Sequence, residues 1–130
     1  TMVLRIIDAT SAKPGTIMLW EGDPVLVKSN DISKTGKHGS SKCRIEAVGI
    51  FNGKKKIITV PGSERFDVPN IEKRKAQVLS VSDSTASVMD LENYETIDLP
   101  FLEELKGELK AEQQIEYWDV EGKKVIMRAH

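Results

Sequence analysis

The sequence predicts an all-β chain built as two small barrels. Three observations carry this expectation. Short apolar runs alternate with polar residues at period two. Turn signals recur between them at regular spacing. The charge balance changes sign near Pro69-Asn70, where a boundary between residues 1–69 and 70–130 is expected. Each part would have about 65 residues, near the lower size at which one core suffices.

The strands follow in order. Pro24-Val25-Leu26-Val27-Lys28 comes after the turn Glu21-Gly22-Asp23. Lys42-Cys43-Arg44-Ile45-Glu46-Ala47 alternates, so Cys43, Ile45 and Ala47 share one face. Asn52-Gly53 then signals a hairpin into Lys56-Ile57-Ile58-Thr59-Val60. In the second part, Lys75–Val81 and Thr85–Met89 are joined through Ser82-Asp83-Ser84, and Tyr94–Leu99 forms a third strand. Ile115–Asp119 and Lys124–Arg128 pair across a turn that holds Gly122. One short helix is expected between the third and fourth of these strands. Pro100 would open it, Phe101, Leu102 and Leu105 would face the core, and Gly107 would end it.

Composition excludes several classes. The 130 residues are 39% hydrophobic and 30% charged, as in an ordinary globular chain. No apolar run approaches the ~20 residues of a membrane helix. The start lacks the basic and apolar regions of a signal peptide, and the one cysteine, Cys43, suits a reducing cytoplasm. Cys43 reads as a small core-facing strand residue rather than a reactive thiol.

The segment Ser33-Lys34-Thr35-Gly36-Lys37-His38-Gly39-Ser40 is poor in apolar residues and sets a lysine between two glycines. Glycine permits tight turns with positive φ, so this segment reads as a hairpin tip carrying Lys37 at its apex. It is not a phosphate-binding P-loop, because Asp31 stands in place of the first glycine and His38 in place of the metal-binding hydroxyl. An exposed tip also lacks the desolvated pocket that would make Lys37 a nucleophile. His38 and Cys43 are too few for a zinc site, and no nucleophile elbow accompanies His38. No catalytic, metal or cofactor site is expected.

Residues 1–69 hold 11 Lys/Arg against 7 Asp/Glu, a net of +4, whereas residues 70–130 hold 8 against 13, a net of −5. The basic excess comprises Lys28, Lys34, Lys37, Lys42, Arg44, Lys54, Lys55 and Lys56, expected around the glycine loop. A basic patch of this kind attracts polyanions, with nucleic acid the usual partner. Tyr117 and Trp118 are neighbours on one strand and face opposite sides, so one of them is expected near the surface, where it could stack on a base.

At this point the residues resemble the translation initiation factor 5A family in its short archaeal form, related to bacterial elongation factor P. Ser33-Lys34-Thr35-Gly36-Lys37-His38-Gly39 matches the family's hypusine motif. The resemblance extends from Lys13-Pro14-Gly15 through Val48-Gly49-Ile50-Phe51-Asn52-Gly53-Lys54-Lys55 to Ile115-Glu116-Tyr117-Trp118 and Ile126-Met127-Arg128. It departs at Ser40-Ser41, where eukaryotic members carry His-Ala.

The resemblance implies an N-terminal SH3-like barrel and a C-terminal OB-fold barrel. It implies that deoxyhypusine synthase transfers an aminobutyl group from spermidine to Lys37, with hydroxylation to hypusine as a later step. It implies a non-enzymatic, cytoplasmic factor that binds the ribosome and positions peptidyl-tRNA at stalled sequences. Lys34, Thr35, Gly36, His38, Gly39, Lys42 and Arg44 would contact tRNA or rRNA around the modified lysine. The alternative expectation is a general RNA-binding module using the second barrel, independent of Lys37.

Overall fold

The computed structural model describes residues 5–34 and 41–130. Among them the chain forms eleven strands and two 3₁₀ turns, and divides into two compact units, Thr1–Asn70 and Ile71–His130.

The first unit contains β1 (Arg5–Asp8), β2 (Ile17–Trp20), β3 (Asp23–Lys34), β4 (Ser41–Gly49), β5 (Lys55–Pro61) and β6 (Arg65–Val68). β2-β3-β4-β5 make a four-stranded antiparallel sheet, and β1 pairs with β6 in a separate ribbon. β1, β2 and β6 were not expected from sequence. Each has four residues, too few for a period-two pattern to stand out. Turn chemistry sets the connections. Lys13-Pro14-Gly15-Thr16 is closed by Thr16 N–H donating to Lys13 O at 3.0 Å, with Gly15 at φ 94°, the geometry of a type II turn. Trp20 pairs with Asp23 across Glu21 and Gly22, both at positive φ, a two-residue turn whose twist suits a hairpin.

The expected alternation in β4 holds. Cys43, Ile45 and Ala47 are buried, and they pack with Met18, Val25, Val27, Ile58 and Phe66. Trp20 half-covers this core, its ring 6.0 Å from that of Phe66. Burial raises the Cys43 thiol pKa, which keeps it in the unreactive protonated form.

The second unit contains β7 (Ile71–Val81), β8 (Thr85–Asp90), β9 (Thr96–Pro100), β10 (Gln114–Val120) and β11 (Lys123–Ala129). Their order is β11-β10-β7-β8-β9. Phe101, just past β9, bridges in parallel to Ile126 of β11, so the two outer strands meet. Five strands curled in this order, with the first paired to the fourth and the third meeting the fifth in parallel, form the barrel of an OB fold. Its core holds Ala76, Val78, Val88, Leu99, Ile115, Tyr117 and Ile126.

The expected helix is corrected. Pro100 ends β9, Leu102 is still extended, and only Glu103–Leu105 turn, as a single 3₁₀ turn. Leu102 is buried from an extended segment rather than from a helical face, and Gly107 at φ 88° lies in a further turn that Glu108 N–H closes onto Leu105 O at 2.9 Å. Tyr94 is corrected too. It lies outside β9 in the turn between β8 and β9, at φ 60° and largely exposed. Among the described residues no helix is long and apolar enough to cross a membrane.

Candidate functional site

The motif lysine falls between two strands of unequal burial. β3 is twelve residues long, but only Val25 and Val27 in it are buried, and from Asp31 to Lys34 every residue is exposed. β3 and β4 remain paired as far as Lys34↔Ser41. Thr35, Gly36, Lys37, His38, Gly39 and Ser40 lie outside the described residues.

The base of this hairpin is held from several sides. Asn30 donates both side-chain hydrogens, to Ala9 O at 2.8 Å and to Ala12 O at 3.0 Å, which ties β3 to the 3₁₀ turn Ala9–Ser11. Its Oδ1 is buried with no hydrogen-bond partner among the described residues. On the other side, β4 pairs with β5 up to Lys42↔Pro61. Beyond that pair, Gly62 N–H donates to Ser41 O at 2.8 Å. Ser41 is therefore gripped by Lys34 on one edge and Gly62 on the other.

Gly62 has no room for a side chain. A Cβ there would meet Ser41 Oγ and lie 2.9 Å from the Thr10 methyl. Gly62→Ala is expected to cost about 1–3 kcal/mol through overpacking. Urea unfolding of the variant against the native chain checks this, and an unchanged midpoint would contradict it.

The structure places the expected basic residues apart. Residues directly opposite in a ladder share a face, so Lys42 goes with Ser33, and Lys34 with Ser41. Lys42 and Arg44 thus point to the outer face of the sheet, and Lys34 to the other. Arg44 lies opposite Asp31 and reaches Glu46 at 3.4 Å, which also accepts from Ser29 Oγ at 3.1 Å. Half-exposed as both partners are, this pair contributes little to stability. Lys54, Lys55 and Lys56 do not surround the motif. They lie near the far end of β4, with Lys56 opposite Ala47 and Lys55 opposite Val48, roughly 20–23 Å from Ser41 at ~3.3 Å per residue. Their nearness in sequence to Arg44 reflects a strand running away from the motif.

The second unit corrects the aromatic expectation. Tyr117 and Trp118 do face opposite sides of β10, but both are buried. Lys73 Nζ sits 4.5 Å from the Trp118 ring centre, and Trp118 Nε1 donates to Glu116 Oε1 at 2.8 Å. Neither ring is open for stacking on a base.

Tyr117 belongs to a group that sequence reading missed. Asp90, 1% exposed, receives Arg74 Nε at 2.8 Å and Nη2 at 3.3 Å, a two-pronged ion pair. The Tyr117 hydroxyl donates to its Oδ2. Its Oδ1 accepts Glu92 N–H at 2.7 Å and Asn93 N–H at 3.3 Å, which shapes the turn that carries Tyr94. The Arg74 guanidinium beside Asp90 holds the carboxyl well below the usual carboxylate range. Burial, with the Asp90 carboxylate, pushes the Tyr117 phenol up to about 12. Asp90 and Arg74 stand sixteen positions apart, and the antiparallel pairing of β7 with β8, in which Ala76 lies opposite Asp90, brings them together.

Two family descriptions match. "Translation initiation factor 5A-like, N-terminal" covers residues 5–64, and "Eukaryotic elongation factor 5A hypusine, DNA-binding OB fold" covers residues 70–130. The translation initiation factor 5A of Thermococcus onnurineus is 42% identical over 126 residues, covering 94% of this chain and 93% of its own. That of Caldivirga maquilingensis is 43% identical over 130 residues, covering 98% of each. The solved structure titled eukaryotic translation initiation factor 5A from Methanococcus jannaschii superposes with a TM-score of 0.76 at 33% identity, covering 100% of this chain and 99% of its own. The two matches cover the first and second units in turn, the relatives cover nearly the whole chain, and the chain belongs to the translation initiation factor 5A family.

Proposed function

We propose that this chain binds the ribosome and positions peptidyl-tRNA through a deoxyhypusine or hypusine side chain on Lys37, promoting peptide-bond formation at stalled sequences. The observation that carries the reading is the motif Ser33–Gly39 joining two strands whose ladder stays braced to its last described pair, Lys34↔Ser41. A slender cation raised on such a base suits a crowded RNA site that a barrel cannot enter. The aminobutyl group adds about 6 Å of reach at ~1.5 Å per bond along a zigzag. Deoxyhypusine synthase transfers that group from spermidine to Lys37.

Lys34 and Lys42, on opposite faces next to the motif, are the described cations best placed for phosphate contact, with Arg44 further down. Thr35, Gly36, His38 and Gly39 complete the proposed RNA contacts. Such contacts weaken as salt rises. The factor performs no chemistry itself and works in the cytoplasm. Burial of Tyr117 and Trp118 weighs against the second barrel as an independent RNA binder.

The test has two arms. Intact-mass analysis of protein from its native source is expected to find the aminobutyl addition on the Lys37 peptide. Lys37→Ala is expected to abolish rescue of ribosomes stalled at consecutive prolines while the fold survives. An unmodified native peptide would sink the modification, and full rescue by the variant would refute the role.

A further inference from the structure

We propose that Asn52 is a site of spontaneous deamidation, with Gly53 supplying the attacking nitrogen and Lys54 a donor that stabilises the transition state. Asn52 and Gly53 lie exposed in the turn between β4 and β5. Of the four asparagines, Asn30 precedes Asp31, Asn70 precedes Ile71 and Asn93 precedes Tyr94. Asn52 alone precedes a glycine. The reaction needs the following backbone nitrogen to reach Cγ, and a side chain on that residue crowds the approach. Gly53 has none and has open space about its Cα, at φ 68°.

The turn prepares the electrophile. Lys54 N–H donates to Asn52 Oδ1 at 2.9 Å, and this oxygen gains negative charge as Cγ is attacked. A fixed donor aimed at developing charge lowers the barrier. The cations of Lys54, Lys55 and Lys56 add a favourable local field. The carboxamide is also held in place: it fills the space where Gly49 lacks a side chain, and a Cβ there would collide with Asn52 Oδ1. One contact opposes the step. Gly53 N–H donates to Gly49 O at 2.9 Å and must release it first. Folding therefore slows the reaction at Asn52 without removing its advantage over the other asparagines.

The atoms balance without a redox partner. Gly53 N loses its proton and bonds to Asn52 Cγ. The Cγ–Nδ2 bond breaks, and Nδ2 leaves as ammonia. Water then opens the five-membered imide. Attack at Cγ gives aspartate, and attack at the Asn52 backbone carbonyl gives isoaspartate. Aspartate keeps the acceptor for Lys54 N–H. Isoaspartate adds a bond to the main chain inside the turn that Gly49 N–H closes onto Lys54 O at 2.9 Å. Both products put a negative charge two residues before the first of three lysines.

The test incubates the full-length folded protein in mildly alkaline buffer and follows the peptides that hold Asn52, Asn70 and Asn93 by mass, with isoaspartate detected by methyltransferase labelling. Conversion at Asn52 is expected to run several-fold faster than at Asn70 or Asn93 and to include isoaspartate. Asn52→Gln, which would need a larger ring, is expected to abolish the product. The proposal is overturned if folded Asn52 stays intact while the urea-unfolded chain converts it, or if the product persists in Asn52→Gln.

Discussion

Asp90→Ala is expected to destabilise the second unit by about 3 kcal/mol, the lower end of the usual cost of breaking a buried ion pair, because Arg74 keeps Glu72 at 2.9 Å and Glu92 at 3.2 Å. The unit has about 60 residues, and domains of that size hold little reserve. The substitution strips Arg74 of its two-pronged acceptor and Tyr117 of its hydrogen-bond partner. It also uncaps Glu92 and Asn93 in the turn after β8. Asp90→Asn, which keeps an acceptor for those two N–H groups, is expected to lose less. Trp118 fluorescence in a Trp20→Phe background reports urea unfolding of this unit alone. An Asp90→Ala midpoint equal to the parent's would dismiss the network as a stabilising element.

The same pair sets a pH dependence. Asp90's carboxyl is depressed in the folded state, so its contribution is present above the unfolded carboxylate value of ~3.9 and is lost as pH falls through the folded value. The gap between the native chain and Asp90→Asn should narrow on going from pH 7 toward strong acid. Tyr117 works at the other limit. Its phenol is raised to about 12, so its contribution is full below the unfolded value of ~10 and is lost as pH rises through 12.

Lys37→Arg is expected to lose rescue of proline-stalled ribosomes as completely as Lys37→Ala, with a rate at least tenfold below the native factor, or about 1.4 kcal/mol on the barrier. Arginine keeps a cation at position 37 but offers a delocalised guanidinium in place of a nucleophilic amine. Under the proposed function it cannot receive the aminobutyl group, so the extra reach of about 6 Å is lost while the charge stays. The variant therefore separates length from charge. Ribosome rescue at the native rate by an arginine variant of unmodified mass would show that charge alone suffices.

Sequence reading recovered what depends on neighbours along the chain. Cys43, Ile45 and Ala47 announce the buried face of β4 by their spacing. Gly22, Gly53 and Gly122 mark turns that the structure places at positive φ. Reading failed where the third dimension decides. Asp90 is not singled out by the sequence, because Arg74 and Tyr117 reach it only across paired strands. One of Tyr117 and Trp118 looked available because a strand has two faces, yet Tyr117 lies in the core and Lys73 from β7 lies over the Trp118 ring. Pro100 and two glutamates mimic a helix start, but Leu102 stays extended and the turn ends within three residues. Lys54–Lys56 were grouped with the motif because sequence distance was short, while a nine-residue strand carries them to the other end of the sheet.

Ser41 has a consequence for aim. It is bonded on both edges, to β3 and to Gly62. A side chain that must meet one atom in a foreign catalytic centre loses accuracy through every joint between it and a firm foundation. Here the foundation reaches the last described residue on the C-terminal side of the motif, so no loose joint is interposed in β4. Tolerance to error is then set partly by residues with no role in contact. Thr10, Pro61 and Gly62 would act like the footing of a surveyor's mark, and changes there should shift the proposed lysine's target without touching either lysine or RNA.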